Sequence, residues 1–116
     1  MSKKVDGFVF PTDNVVVAGM AVVLRTTVPA HQVTVSGDMG SLAAGCTAAM
    51  TVDYYKLGLQ AAQLGADILE GRTTAAETPI GVQDVKNPTF NVTAMKRLGL
   101  EIPEDLKAGA LLWQKK

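Results

Sequence analysis

In the stretch VFPTDNVVVAG, residues 9 to 19, an apolar run breaks at Pro11, three polar residues follow in a row (Thr12, Asp13, Asn14), and the chain turns apolar again. A proline cannot donate to a sheet ladder, so it ends a strand. A Thr, Asp or Asn at the head of a helix accepts a hydrogen bond from a backbone N–H that otherwise has no partner. The stretch therefore reads as a strand handing over to a helix. Because such handovers recur along the chain, they constrain its fold more than any other feature.

VDGFVF (5–10), β-branched and aromatic, is a strand closed by Pro11. NVVVAGMAVVLRTT (14–27) is too long for a usual strand and sets Val15, Ala18, Val22 and Leu24 at approximate helical spacing. QVTVSGD (32–38) alternates apolar with polar residues and closes on Gly37 and Asp38, a strand and a turn. After a flexible MGSLAAG, GCTAAMTV (45–52) is a further strand. DYYKLGLQAAQLGADILEG is the clearest helix, capped by Asp53 and ended by Gly71. Its apolar face carries Tyr54, Leu57, Ala61, Leu64 and Ile68. A short strand around residues 80–82 and another in TFNV follow. A small helix then stops at Gly99, and a new helical start stands at Pro103.

Strands alternating with helices imply an α/β fold: a parallel, twisted sheet with flanking helices. Ligands of such sheets bind beyond the carboxyl ends of the strands, where loops lead into helices. Three strand ends carry polar residues: Thr12 to Asn14, then Ser36 and Asp38, then Asp53 to Tyr55. If the strands are parallel, these groups share one edge.

Composition removes several function classes. Lys plus Arg and Asp plus Glu number 11 each, so the basic surplus that draws nucleic acid or anionic lipid is missing, and no nucleic-acid partner is expected. No apolar run approaches the ~20 residues of a membrane-spanning helix, which predicts a soluble chain. Cys46 is the only cysteine and His31 the only histidine. No metal site is expected from that pair, and Cys46 in LAAGCTAAM reads as a small buried hydrophobe. No nucleophile–base pair, P-loop or dinucleotide glycine pattern is present, so neither catalytic residues nor a cofactor are expected and the chain is read as a non-enzyme.

The runs DGFVFPTDNVVVAG, VTVSGD, TAAMTVDYYKLGLQAAQLGADILEGRTTAAETPIGV and FNVTAMKRLGLEIPEDL, in that order, resemble the C-terminal part of ABC transporter periplasmic substrate-binding proteins. The likeness is to the type I periplasmic-binding fold and its aromatic-amino-acid-binding branch. It implies a two-lobed receptor that closes over a small molecule, an amino acid or similar, and presents it to an ABC permease for import. On that pattern residues 1–40 are second-lobe-like, 41–80 first-lobe-like, and 81–116 cross back. Thr12, Asp13, Asn14, Asp38, Asp53 and Tyr54 are the ligand-binding residues it implies. Such receptors are periplasmic or lipid-anchored outside the cell. MSKKVDGF lacks the apolar core of a secretory signal, so the chain as written would stay in the cytoplasm.

The residues themselves admit two readings. An amino acid needs a carboxylate facing its ammonium and donors facing its carboxylate; Asp13 or Asp38 would serve the first, Thr12 and Asn14 the second. Alternatively Asp13 or Asn14 caps a helix, Asp38 makes a turn and Asp53 caps the next helix. A ligand-sensing or oligomerisation module of a regulator with the same fold is the alternative function, although no helix-turn-helix precedes the domain. Apolar faces such as Val15 to Leu24 and the stripe Leu57, Leu64, Ile68 predict a homo-oligomer, a dimer by preference.

Overall fold

The computed structural model describes residues 4–85 and 87–114. In chain order the elements are β1 (Gly7–Phe10), α1 (Asn14–Thr27), β2 (Val33–Ser36), α2 (Met39–Ala44), β3 (Ala48–Ala49) and α3 (Tyr54–Leu69). These are followed by β4 (Thr89–Asn91), α4 (Val92–Leu98), α5 (Glu104–Lys107) and β5 (Leu111–Trp113). They fall into two units: residues up to Thr51 together with those from Val85 onward, and Val52–Asp84.

The first unit is a five-stranded sheet in the order β1-β2-β3-β4-β5. β1, β2 and β3 are mutually parallel, with Phe10 opposite Ser36 and Ser36 opposite Ala49. β4 runs antiparallel to β3, and β5 is parallel to β4. The fold is thus the expected α/β sheet with flanking helices, mostly rather than wholly parallel. The exception follows from connectivity. The chain leaves the sheet beyond the carboxyl end of β3 and re-enters it at Thr89, paired with Ala49 at that same edge. A strand that starts where its neighbour stopped can only run the other way.

Each face of the sheet has its own core. Met20 and Leu24 of α1 pack with Cys46, joined by Phe10, Val16, Val23 and Val28. Ala48, Phe90 and Met95 pack with Val35, Ile102 and Ala110. Alternation along β2 separates the two: Val35 joins the second cluster, while Thr34 and Ser36 point to the opposite face. There Thr34 and Thr47 exchange backbone-to-hydroxyl bonds of 3.2 Å in both directions, so neither buried hydroxyl lacks a partner.

The buried stripe of α1 is Met20, Leu24 and Thr27, whereas Val15 and Val22 are 80% and 67% exposed. The expected grouping of Val15, Ala18 and Val22 with Leu24 is therefore corrected. A helix apolar almost all round carries no clear moment, and only the sheet beneath it selects the inward side. Residues 39–44, expected to be flexible, form α2: Asp38 accepts from the Ser41 N–H at 2.7 Å and supplies the missing helix start. The strand expected over 45–52 shrinks to Ala48–Ala49. LLW, within the apolar tail, becomes β5 on β4. α4 ends at Gly99, whose φ of 67° is left-handed and suits a residue without a Cβ.

In the second unit Asp53 caps α3, accepting from the Tyr55 and Lys56 N–H groups at 3.0 and 3.1 Å. At the far end Arg72 pairs with Asp67 at 2.6 Å and also with Glu70. The expected strand at 80–82 is absent. Ile80 and Val82 are 93% and 86% exposed, and Pro79 and Gly81 interrupt the run. Gln83 nearby holds the chain instead, accepting from the Asp53 N–H at 2.8 Å and donating to its carbonyl at 3.0 Å.

Candidate functional site

The paired carboxyl ends of β1 and β2 bring two loops together. After β1 the chain passes through Pro11 and Thr12 to Asp13, the N-cap of α1; after β2 it passes through Gly37 to Asp38, the N-cap of α2. Thr12 Oγ1 donates to the Gly37 carbonyl at 2.9 Å, and the Gly37 N–H donates to the Phe10 carbonyl at 2.9 Å. A Cβ on Gly37 would lie 2.7 Å from Thr12 Oγ1 and 3.1 Å from the Thr12 nitrogen. The loops can approach this closely only because residue 37 has no side chain.

The clasp divides the roles of the polar triplet. Asp13 Oδ1 accepts from Val15 and Val16 N–H at 2.8 and 3.0 Å, so it is the cap. Thr12 spends its proton on Gly37 and presents only lone pairs outward. That differs from the expected role of Thr12 as a donor to a ligand carboxylate. Asn14 opens α1 and is exposed, with both a donor and an acceptor on its amide. Thr12 and Asp13 are exposed as well, so the triplet offers solvent an acceptor hydroxyl, a carboxylate and an amide.

Asp38 lies at the same edge but is only 8% exposed. Its Oδ1 takes the Ser41 N–H at 2.7 Å and its Oδ2 the Ser41 hydroxyl at 2.8 Å. Ser36 donates to the Asp38 carbonyl at 3.0 Å. Both carboxylate oxygens thus hold the first turn of α2. Asp53 and Tyr54 belong to the second unit, Asp53 as the cap of α3 and Tyr54 63% exposed at its head. The structure therefore gathers Thr12, Asp13, Asn14 and Asp38 on one sheet edge of the first unit and carries Asp53 and Tyr54 on the second.

Three residues that shape these loops were not singled out from sequence. Gly37 read as turn punctuation, because its close approach to Thr12 is a contact across 25 residues. Ser41 stands three places after Asp38, the spacing of a cap and its N3 residue, a signal hidden by the small residues between them. Asn91 accepts from the Ala94 N–H at 3.0 Å and donates to the Leu42 carbonyl at 2.8 Å, capping α4 while holding the end of α2.

Cys46 is fully buried, with Sγ 3.4 Å from Met20 Sδ. Burial pushes its thiol above the ordinary range, against the lowering effect of a hydrogen bond with Thr34. His31 sits on the exposed turn between α1 and β2 at a φ of 53°. No helix among the described residues is long and apolar enough to cross a membrane.

A mostly parallel sheet with helices on both faces and cap-bearing loops at the carboxyl edge defines a protein of the α/β class. The model of the ABC transporter substrate-binding protein family matches residues 1–112, and the chain belongs to that family. It is similar to a tyrosine-binding protein of Clostridioides difficile (strain R20291), 29% identical over 98 residues, which are 84% of this chain and 28% of that protein. Among solved structures it is similar to a conserved domain protein from Vibrio cholerae, with a TM-score of 0.77 and 27% identity over 98% of this chain and 38% of that one. The ligand-free, open structure of a substrate-binding protein with adhesive properties from Clostridium difficile gives a TM-score of 0.80 and 25% identity over 97% and 37%. A domain in complex with L-Trp from Streptococcus pneumonia gives 0.78 at 24% identity over 97% and 38%, a likeness that bears on fold alone. The chain spans 28% of the length of the curated relative and under two fifths of the solved chains.

Proposed function

We propose that this chain is part of a receptor that captures an amino acid, tyrosine or one like it, outside the cytoplasm and delivers it to an ABC permease for import. The observation that carries the reading is the clasped edge at Thr12–Asn14, set in a chain of the substrate-binding family. The name of the tyrosine-binding relative supports the ligand class. The chemistry then assigns the ends of the ligand. An ammonium needs acceptors, and Thr12 Oγ1 with Asp13 Oδ2 supplies them; the ligand carboxylate needs a donor, and the Asn14 amide supplies it. Asp38 orders α2 and adds negative charge to the ammonium side. Within the second unit, Asp53 and Tyr54 are the ligand-binding residues of this reading, Tyr54 as an apolar surface. Residues 1–40 act as second-lobe-like, 41–80 as first-lobe-like and 81–116 as the crossing back. The work is binding rather than catalysis, and the chain self-associates as a dimer.

Titration of the isotope-labelled chain with L-tyrosine, followed by NMR, tests the reading. Shifts concentrated at Thr12, Asp13 and Asn14, weakened in Asp13→Asn and absent with a tyrosine analogue lacking the α-ammonium, are expected. Shifts that spare this edge, or that persist without the ammonium, overturn it.

A further inference from the structure

At the edge of the sheet opposite the clasp, a groove of about 450 Å³ runs between the end of α1 and α4. Its floor is apolar, formed by Leu24, Val28, Pro29 and Ala44, and Arg25 and Arg97 line it. A second hollow of about 170 Å³, with Asn91 and Trp113 in its wall, shares Ala44 and Arg97 with it. Both arginines are exposed, and among the described residues neither forms an ion pair. Arg97 also donates to the Gly45 carbonyl at 3.4 Å, which leaves its charge unneutralised. Two guanidiniums without a carboxylate partner among the described residues, set over an apolar floor, fit a segment that alternates carboxylates with aliphatic side chains.

The same unit displays such a segment. Leu100 and Leu106 are 38% and 39% exposed, and between them lie Glu101, Glu104 and Asp105, all exposed. Glu104 is engaged by Lys107, whereas Glu101 and Asp105 form no ion pair among the described residues. Arg97 is in the last turn of α4 and Leu100 follows three residues later, so groove and segment adjoin along the chain. Adjoining complementary patches suit a two-fold axis: each copy's groove takes the other's segment, and both contacts close at once.

We infer that the Arg25–Arg97 groove binds the Leu100–Leu106 segment of a second copy of this chain. The inference rests on the dimer proposed above and names its surface. Sedimentation velocity at micromolar concentration tests it on four chains: wild type, Arg25→Glu with Arg97→Glu, Glu101→Arg with Asp105→Arg, and the four changes combined. Wild type sediments as a dimer that weakens as salt rises. Each reversed pair weakens dimerisation by about tenfold or more, and the combined chain recovers it, because the charges are again opposite. Circular dichroism confirms that each chain is folded, and recovery in the combined chain excludes a folding defect in either parent. A wild-type dimer indifferent to both reversals overturns the groove and leaves the dimer standing, and a monomeric wild type overturns both. Loss on reversal without recovery in the combined chain also overturns the groove, since it points to an acidic partner surface other than this segment.

Discussion

Gly37 and Cys46 show how single residues act through what surrounds them. Gly37→Ala places a methyl 2.7 Å from Thr12 Oγ1 and 3.1 Å from the Thr12 nitrogen, and the second neighbour is backbone that cannot swing aside. The substitution is expected to cost about 1–3 kcal/mol, read as a lower urea midpoint, and to shift the Thr12 and Asp13 amides most. An unchanged midpoint would remove the clasp from the account. Cys46 is expected to resist a thiol reagent in the folded chain and to react at once in urea, because the raised thiol is both buried and protonated. Its linkage has a definite sign. Above the ordinary thiol value of about 8.5 the unfolded chain loses the proton that the folded chain keeps. The Cys46 contribution to stability is therefore full below that pH and is lost as pH rises through the folded value. Urea midpoints measured across alkaline pH should fall in wild type and hold level in Cys46→Ala.

Among the elements, α1 and α2 begin with the same residue type in different surroundings. Asp13 caps α1 from an exposed position, and Asp13→Ala should cost about 1 kcal/mol, as exposed caps do. Asp38 binds both the N–H and the hydroxyl of Ser41, itself fully buried, so Asp38→Ala strands two buried donors. The expected loss is about 2 kcal/mol or more, and urea denaturation of the two variants side by side checks the order. The reverse order would mean that the first turn of α2 adds little to the sheet. α3 differs from both: it spans 16 residues and buries none of them fully. Its cap and its Arg72 pairs act at its ends only, and its stability depends on what its half-buried Leu57 and Leu64 can find.

For the whole molecule, this contrast predicts uneven stability. The first unit encloses two clusters, one on each sheet face, while α3 in the second unit has no fully buried side chain. Hydrogen exchange followed by NMR should find the slowest amides at Met20, Leu24, Thr34 and Phe90, and α3 exchanging far sooner. Equal protection of α3 and the sheet would show one cooperative body. The caps of α1 and α3 were legible in the sequence because capping is local: Asp13 and Asp53 bond N–H groups two and three places ahead. Asp38, read as a turn, bonds the Ser41 N–H just as locally, but the small residues over 39–44 concealed the helix it starts. The partners of Thr12 and Asn91, 25 and 49 residues away, were not.

By itself the sequence determined that the strand at 7–10 gives way to the helix at 14–27 and that the strand at 33–36 closes on a turn at Asp38, whereas the helix which Asp38 starts came only with the structure. The sequence also determined the helix over 54–69 and the stop at Gly99. Those are decided within one or two turns of chain, by proline, caps and length. Only the tertiary structure decided which side of an almost wholly apolar α1 faces inward, since that needs a sheet to face. It also decided that β4 runs against β3, that residues 80–82 pair with nothing among the described residues, and that LLW becomes a strand. Strand pairing is a bond between distant segments, and its direction is set by the edge at which the chain returns.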